Sequence, residues 1–440
     1  MRAAVIGSGI AGLAAAHHLQ PHTQVTLFEA AGRFGGHAQT VDVTLPDAAG
    51  RPVTHGVDTG FLVYNERTYP NLVRLFGQLK VATAAADMSF SVKVPQAFGA
   101  QPLEWCGSNL ASVFAQPANL LRPRFWRMLR EVLRFNRLAT RIAESAADGE
   151  LRQPLAKFLR AHGFAPEFEQ WYLLPMIGCI WSCPPEQMLH FPVGTLIRFC
   201  HNHGLLQVSD RPQWYTVRGG SREYVRRIVA GLRDARLSTP VLALRREPSA
   251  VAVRTAAGWE RFDYVVLACH PDQALGLLAD ASEDERRILG AIRYQPNRAV
   301  LHTDASVLPR RRAAWAAWNF ERGAGAVGTR PVCLHYLINR LQPLPWQQPV
   351  IVTLNPVRPI APHAVLGEYE FAHPVFDARA VQAQAELGAL QGRRRTWFAG
   401  AWAGYGFHED GLKAGIAAAG AAMLQSQIDA ADHPLGLVPA

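Results

Sequence analysis

The chain contains 440 residues, of which 49% are hydrophobic and 18% are charged. This composition excludes a disordered protein, and the length favours two domains, or one domain with a large insertion, over a single core. The formal net charge is +10, and arginine supplies nearly all of it because only four lysines occur. Such an excess favours acidic partners such as phosphates or anionic lipid, unless it reflects only the base composition of the gene.

The sequence gives no indication of export, of a membrane span or of a metal site. Its start lacks a signal-peptide pattern, and no apolar run reaches the roughly 18 residues of a spanning helix. The six cysteines are scattered and form neither a disulfide framework nor a metal-binding spacing. We therefore expect a cytoplasmic protein that is at most peripheral at the inner face of the membrane.

The first predicted elements enclose a glycine-rich turn. A strand over residues 3–6 precedes it, a helix follows to about Leu19, and a second strand ends at Glu29. In this order the glycines permit a tight turn beside a pyrophosphate, and the carboxylate would bind ribose hydroxyls and repel a 2′-phosphate. The pattern predicts a dinucleotide site that does not suit NADP. The expected contacts are Gly7, Gly9, Ile10, Ala11, Gly12, Glu29 and Ala30.

The residues after this acid indicate which dinucleotide binds. The stretch EAAGRFGGHAQT resembles the E-x-x-x-R-x-G-G-R stretch of the superfamily of flavin-containing amine oxidases and phytoene desaturases, with His37 where that family usually has arginine. The resemblance implies FAD, bound non-covalently. Arg33 would neutralise pyrophosphate charge, while Gly35 and Gly36 would let the backbone follow the ribityl chain. His37 either donates to the flavin region or caps a turn.

The next segment, residues 55–81, combines a strand pattern with a helix pattern. Asp58, Thr59 and Gly60 would present polar groups to the flavin, or they form an ordinary strand-to-turn junction. A helix is predicted over residues 68–81, because apolar residues recur on one face. These residues are Leu72, Leu75, Phe76 and Leu79.

The middle of the chain is predicted to be mainly helical, with a helical cap over about residues 95–200. Within it five arginines recur at alternating spacings of three and four, which places them on one helical face. This face either lies on an anionic bilayer or is simply solvated. A nucleic-acid partner is not expected, because no known recognition motif is present. The arginines are Arg127, Arg130, Arg134, Arg137 and Arg141.

Strand patterns return in the second half of the chain. The stretch YTVRGGSREYVRRIV predicts a Gly-Gly turn before a helix, and several strands follow up to residues 264–268. The superfamily resemblance implies that Val241 contacts the adenine through its backbone. Strand-like segments from residue 291 to about residue 375 fit a sheet that forms the floor of a substrate cavity.

The last predicted elements are a strand over residues 397–399, a glycine-rich turn and an alanine-rich helix from about Gly411. In the superfamily such a helix N-terminus faces the flavin pyrimidine and stabilises negative charge there. The resemblance therefore implies contacts from Gly400, Ala401, Gly411 and Leu412. Ala401 stands where the family usually has an acid, so the ribityl contact of that acid has no equivalent here.

These elements predict an α/β fold with two domains. The first is an FAD-binding domain of Rossmann type, glutathione-reductase-like, and the second is an inserted α+β substrate domain with a helical cap and a mixed sheet. The FAD-binding domain is discontinuous and is expected at residues 1–90, 205–290 and 392–440. The substrate-binding domain is expected at residues 91–204 and 291–391.

Four stretches, HGVDTGFLVY, ADMSFSV, GCIWSCP and GYGFHEDGL, resemble a narrower bacterial subfamily of predicted FAD-binding proteins. Its members are similar to flavoproteins that act beside cyclopropane-fatty-acid-synthase-type methyltransferases. The resemblance implies an oxidoreductase that desaturates a lipid or methyl-branched fatty acyl chain by hydride transfer to flavin N5, with a lipid methyltransferase as partner. An amine or terpenoid oxidase remains an alternative, as does a non-catalytic flavin-binding partner of the methyltransferase.

Dehydrogenation also releases a proton, so a base is expected near the flavin. The candidates are His408 and Glu409 at the turn before the last helix, followed by Tyr405 and Tyr64. For His408 and Glu409 the alternative is a role in capping that helix.

Overall fold

The computed structural model describes residues 1–145, 151, 153–182, 185–207, 211–323 and 332–432. The strands are β1 Arg2–Ile6, β2 Gln24–Phe28, β3 Thr40–Pro46, β4 Pro52–Asp58, β5 Tyr64–Asn65, β6 Thr83–Ala86, β7 Phe90–Phe98, β8 Gln101–Cys106, β9 Trp214–Val217, β10 Asp234–Arg236, β11 Ala243–Arg246, β12 Val251–Thr255, β13 Gly258–Phe262, β14 Tyr264–Leu267, β15 Tyr294–His302, β16 Trp318–Arg322, β17 Val332–Leu337, β18 Ile351–Leu354, β19 Val365–Pro374 and β20 Thr396–Phe398. The helices are α1 Ile10–Leu19, α2 Pro70–Gln78, α3 Leu110–Val113, α4 Pro123–Ser145, α5 Leu155–Ala161, α6 Pro166–Phe168, α7 Leu174–Trp181, α8 Pro185–Met188, α9 Val193–Asn202, α10 Arg222–Gly231, α11 Pro271–Leu277, α12 Glu283–Gly290, α13 Ile338–Leu341, α14 Ala378–Glu386 and α15 His408–Asp432.

A five-stranded parallel sheet carries the glycine-rich turn. Its order is β10-β2-β1-β14-β20, so its strands come from the beginning, the middle and the end of the chain. Its central strands are apolar and almost fully buried, as expected when a parallel sheet is covered on both faces. The antiparallel strands β11, β12 and β13 share a hydrophobic cluster with this sheet, and they confirm the strands predicted before residue 268.

Helices α1 and α15 run side by side across this sheet. A methyl group on Gly415 would lie 2.1 Å from the carbonyl oxygen of Ala11, and one on Gly411 would lie 2.7 Å from Cγ2 of Ile10. The helices can therefore approach this closely only where α15 carries glycine, and their N-termini lie next to each other. The predicted start of the last helix was too late, because α15 already begins at His408.

A seven-stranded mixed sheet forms the second large layer, in the order β19-β15-β18-β17-β16-β7-β8. Strands β15 to β19 confirm the strand patterns predicted between residues 291 and 375. The expected helical cap from about residue 95 is wrong at its start, because β7 and β8 occupy residues 90–98 and 101–106. Apolar residues alternate in β7 only at Phe90, Val92 and Val94, and Pro95 and Gln96 then interrupt the pattern, so the sequence does not indicate a strand as far as residue 98.

Helices α4 to α9 pack around a core of their own, whereas α3 contacts the main core through Val113. Helix α4 contributes a buried face to this core and to the main core, whereas the five arginines predicted to share one face are all exposed. Within the described part of the chain, no helix is both long enough and apolar enough to cross a bilayer. The buried aromatic side chains of this core are Phe135, Phe158, Phe168, Trp181, Phe191, Phe199 and Phe376.

Strands β5, β9 and β6 form a small sheet in this order, and helix α2 lies between β5 and β6 in the chain. The sheet and the helix both contact the main core. Leu72, Leu75 and Phe76 are buried on one face of α2, which confirms the helix predicted within residues 68–81. The helix is shorter than predicted and ends at Gln78.

Candidate active site

A cavity of about 700 Å³ opens at the carboxyl ends of the parallel strands. This edge of an α/β sheet is where ligands usually bind. We call the part beside the parallel sheet the nucleotide end and the part beside the seven-stranded sheet the substrate end. The nucleotide end is lined by Gly7, Ser8, Gly9, Ile10, Ala11, Glu29, Ala30, Gly36, Val241, Ala268, Gly400 and Ala401. The substrate end is lined by Met88, Cys179, Ile180, Trp181, Phe199, Trp214, Trp318, Tyr336, Phe376 and Phe407.

The turn between β1 and α1 forms one wall of the nucleotide end. Gly7 has a φ of +98°, a left-handed conformation that favours glycine. A methyl group on Gly12 would lie 1.8 Å from the carbonyl oxygen of Gly7, so only glycine allows α1 to approach the turn. The helix begins after Gly9 without a side-chain cap, and its first N–H groups are therefore available to an anion.

Glu29 follows β2 and lines the same end. Its carboxylate accepts hydrogen bonds from the backbone N–H groups of Ser8 at 3.0 Å and of Ala31 at 2.8 Å. These bonds hold the side chain at the edge of the sheet and leave lone pairs for ribose hydroxyls. Ala30 and Val241 lie beside it, as the sequence predicted.

Arg33 supports the wall rather than lining it. Its guanidinium donates to the carbonyl oxygen of Gly36 at 2.8 Å and to Oε1 of Gln39 at 2.8 Å. Gly36 lines the cavity, while Gly35 lies behind it and donates its N–H to the carbonyl oxygen of Ser8 at 3.1 Å. These two bonds brace the turn and leave other N–H groups of the guanidinium free, so the contact of Arg33 with a pyrophosphate stays a prediction.

His37 lies in the cavity wall with one ring nitrogen unused. Its Nε2 is buried and has no hydrogen-bond partner. The ring packs beside His373 and Phe371, with centroids 5.2 Å away in each case. Burial and the neighbouring His373 and His270 lower the pKa of His37 well below its usual value. A neutral imidazole with a free nitrogen facing a cavity favours contact with a ligand over the capping of a turn.

Asp58 is buried behind the wall and is only 1% exposed. Its carboxylate accepts from the backbone N–H of Ser221 at 2.9 Å and from Nε2 of Gln342 at 3.0 Å. The side chain therefore ties β4 to α10 and α13. Contrary to the prediction, it does not line the cavity. Thr59 donates its hydroxyl to a backbone carbonyl instead of facing the cavity. Gly60 does line the cavity.

The turn after β20 closes the nucleotide end. Gly400 and Ala401 line it, as predicted. Gly411 instead packs against Ile10, and Leu412 is fully buried in the main core. These two residues hold α15 against α1, so that both helix N-termini face the cavity.

Two of the four candidate bases, His408 and Tyr405, line the cavity. Nε2 of His408 is hydrogen-bonded to the hydroxyl of Tyr224 at 3.0 Å, and its ring stacks on Phe61 with centroids 3.7 Å apart. Burial lowers the pKa of His408 to about 3, so the imidazole is neutral near pH 7 and is a weak base. Burial also raises the pKa of Tyr405.

The other two candidates are used elsewhere. The carboxylate of Glu409 accepts from the backbone N–H of Asn71 at 3.1 Å and that of Leu72 at 3.0 Å, and it thereby caps the N-terminus of α2. It is only 3% exposed and does not line the cavity, so proton transfer there is not its role. Tyr64 is likewise behind the wall, where its ring packs against Tyr69 and Phe76.

The sequence predicted that the strands after residue 291 form the floor of a substrate cavity, but it did not identify the residues that line the substrate end. Trp318 and Tyr336 face each other across β16 and β17, and Nε1 of Trp318 is buried without a partner. Burial lowers the pKa of His203 and of His373 to about 4, so these lining histidines are neutral as well. Aromatic residues at alternate positions of two strand-like segments were the available signal, but the segments did not reveal which face would meet the cavity.

A sequence profile of the family described as flavin containing amine oxidoreductase matches residues 10–338. The chain belongs to this family. No curated protein has a sequence that matches the chain.

Solved structures of several enzymes share the fold of this family member. A CLA-producing fatty acid isomerase from P. acnes has a TM-score of 0.65 at 15% identity, with 97% of this chain and 98% of that chain covered. Cyclohexylamine oxidase from Brevibacterium oxydans IH-35A has a TM-score of 0.65 at 16% identity, over 97% and 99%. Putrescine oxidase has a TM-score of 0.68 at 15% identity, over 96% and 99%. At these identities the likeness shows the mixed α/β fold alone.

FAD is the cofactor of this flavin-containing oxidoreductase, and the nucleotide end fits it. The uncapped N–H groups of α1 suit a pyrophosphate, and the carboxylate of Glu29 suits ribose hydroxyls. The unpartnered Nε2 of His37 and the N-terminus of α15 supply polar groups near the flavin region.

A buried polar row crosses the seven-stranded sheet on the face away from the cavity. Glu321 accepts from Nζ of Lys93 at 2.9 Å and from Nε2 of His335 at 3.0 Å. Nδ1 of His335 and Nε2 of His302 both bond the hydroxyl of Thr353, at 2.8 and 2.7 Å. Glu321, Cys333 and His335 together have metal-ligand chemistry, but Lys93 already neutralises the carboxylate, so we interpret this row as an ion-paired network.

Proposed function

We propose that this flavin-containing oxidoreductase dehydrogenates a lipid, in the first instance a methyl-branched fatty acyl chain. Bound FAD supplies the hydride acceptor. One hydrogen leaves the chain as hydride, the neighbouring carbon loses a proton, and a carbon–carbon double bond forms. The subfamily motifs add a lipid methyltransferase as the proposed partner, which would make the branched chain.

The chemistry of the substrate end carries this proposal. Among the described lining residues, Glu29 has the only carboxylate, and it lies at the nucleotide end. An ammonium substrate would therefore find no counter-charge beside the reacting bond, and no lysine or arginine of the described chain lines the cavity for an anionic one. A long apolar chain needs neither, because burial against aromatic and aliphatic walls supplies its binding energy.

The proton has two candidate acceptors in the cavity wall. The neutral ring of His408 and the hydroxyl of Tyr405 remain, because Glu409 and Tyr64 are used elsewhere. Both groups are weak bases in their ground state, so the proposed reaction depends on placing the C–H bond correctly more than on a charged base.

The layout of the chain fits the same proposal. We infer that the parallel sheet with α1 is a Rossmann-type, glutathione-reductase-like domain built from residues 1–90, 205–290 and 392–440. The seven-stranded sheet and the helices of the cap then form the substrate domain. The P. acnes protein supports the proposal in one respect, since a fatty acid isomerase has the same fold.

The test is anaerobic mixing of the FAD-loaded protein with phospholipids that carry straight or methyl-branched chains, and separately with amines. We expect bleaching of the flavin absorbance by the branched lipid and a desaturated product by mass spectrometry. Bleaching by amines alone would replace the proposal with an amine oxidase. Flavin that no lipid, amine or terpenoid reduces would favour the non-catalytic binding partner.

A variant connects this readout to the substrate end. Trp318→Ala removes part of the apolar wall, which we expect to cost about 2 kcal/mol of substrate binding, or roughly 30-fold in the half-saturating lipid concentration. Trp259→Ala is the matched control, because Trp259 is exposed on β13. Equal effects of the two changes would mean that the lipid does not bind in this cavity.

A further inference from the structure

The residues just before α4 and in its first turn form an unusually apolar surface. Leu121 is 88% exposed and Leu110 is 78% exposed, and Leu120 and Trp126 are also exposed. We call these four residues the apolar tip. Single exposed leucines are common on protein surfaces, but several large apolar side chains within one short segment usually mark an interaction site.

Local contacts hold the apolar tip together. Nε1 of Trp126 donates to the carbonyl oxygen of Leu120 at 2.9 Å. The Trp126 ring packs against Phe114 with centroids 5.3 Å apart, and Leu110 lies one helical turn before Phe114. The tip is therefore supported by the partly buried Phe114, and its leucine side chains are held out from the fold rather than packed into it.

Unpaired arginines continue from this patch along α4. Trp126, Arg130, Leu133 and Arg137 follow at spacings of four, three and four, so they share one exposed face. Within the described part of the chain, no carboxylate lies within ion-pairing distance of Arg130, Arg137 or Arg141. We call these three residues the arginine face. Their charges are available to an external partner.

The packing of α4 explains its inner face but not this outer one. Phe125, Met128, Phe135 and Ile142 are buried beneath the helix. The helix therefore does not need a membrane or a partner in order to bury its apolar stripe. The apolar tip and the arginine face take no part in that packing. Together they place leucine, tryptophan and arginine side chains on one surface.

We propose that this surface docks on an anionic phospholipid bilayer. Leucine side chains would enter the acyl boundary, tryptophan prefers the headgroup level, and arginine can place its stem in the apolar layer while its charge meets phosphate. The exposed leucines and the charge together favour an anionic bilayer, because three unpaired arginines continue from the tip along α4 and no acidic side chain of the described chain neutralises them. This proposal goes beyond the reaction proposed above and does not depend on it.

The test is co-sedimentation of the FAD-loaded full chain with vesicles of phosphatidylcholine, alone or mixed with phosphatidylglycerol. Wild-type protein should bind the anionic vesicles at low salt and be released by high salt, since screening shortens the reach of surface charge to about 10 Å at 0.1 M. Replacing Arg130, Arg137 and Arg141 by Gln should weaken binding about five-fold per residue, or on the order of 100-fold in all.

Two matched controls distinguish a specific effect of this surface from effects of net charge and of surface hydrophobicity in general. The triple variant Arg74→Gln, Arg233→Gln and Arg379→Gln removes the same charge from exposed positions on other elements, and it should bind like wild type. Leu110→Ser with Leu121→Ser should reduce binding about ten-fold or more at low salt. Leu424→Ser with Ile428→Ser, which alters exposed positions on α15, should not.

Three results would overturn the proposal. The first is equal loss in both arginine triples, which would mean that only the net charge matters. The second is unchanged vesicle binding in the leucine variant. The third is a concentration-dependent dimer that the leucine variant abolishes while vesicle binding persists, which would make the patch a protein interface. Flavin absorbance and circular dichroism of each variant show whether it is folded.

Discussion

The two faces of the seven-stranded sheet carry opposite chemistry. Toward the cavity stand Trp318 and Tyr336, cross-strand neighbours with an apolar environment. Their chain neighbours Asn319 and His335 point to the other face, because side chains alternate along a strand. There they join the polar row that includes Glu321. One pair of strands thus supplies an uncharged ligand wall and a charged support, where Nε of Arg358 also lies 3.5 Å from Glu321 without forming a hydrogen bond.

The donor and the acceptor of each hydrogen bond along the polar row can be assigned. The backbone N–H of Asp304 donates to Nδ1 of His302, so Nε2 of His302 carries the proton that it donates to Thr353. The hydroxyl of Thr353 then donates to Nδ1 of His335, and Nε2 of His335 donates to Glu321. The row therefore ends on a carboxylate with every proton accounted for. The cavity face shows the reverse, with buried nitrogens of Trp318 and His37 that lack partners.

This difference indicates that one face of the sheet stabilises the fold and that the other face binds the ligand. A paired charge can be kept in the interior only where its partners are fixed, and that condition holds on the support face. A cavity for an apolar ligand must avoid charge, and the cavity face does so with neutral rings. Changes on one face should therefore leave the property of the other nearly intact.

The largest effect is expected from Glu321→Gln. The change leaves Lys93 buried without its carboxylate, and breaking one side of a buried pair costs about 3–5 kcal/mol in the free energy of unfolding. Urea unfolding of the FAD-loaded protein measures it. The affinity for FAD should change little, because the residue points away from the cavity.

The control for that change is Glu368→Gln. Glu368 pairs with Arg298 at 2.8 Å, but both side chains are about half exposed. Such surface pairs are worth about 0–1 kcal/mol, so the control should unfold almost like wild type. A similar loss in both variants would contradict the distinction between the support face and the surface.

Acid should act on His373 and on Glu321 in two pH windows, and His302 of the support face shares the first window because burial lowers its pKa to about 4 as well. Burial lowers the pKa of His373 to about 4, below the value near 6.5 of the unfolded chain, so its contribution to stability is full above pH 6.5 and is lost as the pH falls toward 4. Burial alone would raise the pKa of Glu321, but the hydrogen bond from His335 and the charge of Lys93 lower it to about 2. Its contribution is lost between about pH 4.5 and 2.

Variants separate these windows. His373→Asn should flatten the loss of stability between pH 6.5 and 4, and Glu321→Gln should flatten it below about pH 4.5, each by at most about 1.4 kcal/mol per pH unit. Urea unfolding across this pH range checks both. If both variants changed the same pH window, the protonation of His373 and that of Glu321 would be coupled.

Much of the nucleotide end could be predicted from the sequence, because its geometry rests on local rules. Gly7, Gly12 and Glu29 act within one strand–turn–helix unit, and their spacing encodes their placement. The same holds for α2, where the period of Leu72, Leu75 and Phe76 is enough to identify a helix.

The rest depended on tertiary contacts that spacing does not encode. Asp58 was predicted to contact the cofactor and Glu409 to act as a base, yet their carboxylates turn to Ser221 and to the N-terminus of α2. A carboxylate has no local signal for the partner it will find across the fold. Trp318 and Tyr336 were missed because the face of a strand is decided by the register of the whole sheet.

The smallest effect compares two histidines, His37 on the cavity side and His335 in the polar row. We expect His37→Gln to weaken FAD binding by about 1 kcal/mol, or roughly five-fold, because it replaces one ligand hydrogen bond, and to leave the urea midpoint of the apoprotein unchanged. His335→Gln should do the opposite, since both of its ring nitrogens are bonded to Thr353 and Glu321. Quenching of flavin fluorescence gives the affinities. If His37→Gln destabilised the apoprotein as much as His335→Gln, its free nitrogen would be a structural contact rather than a ligand site.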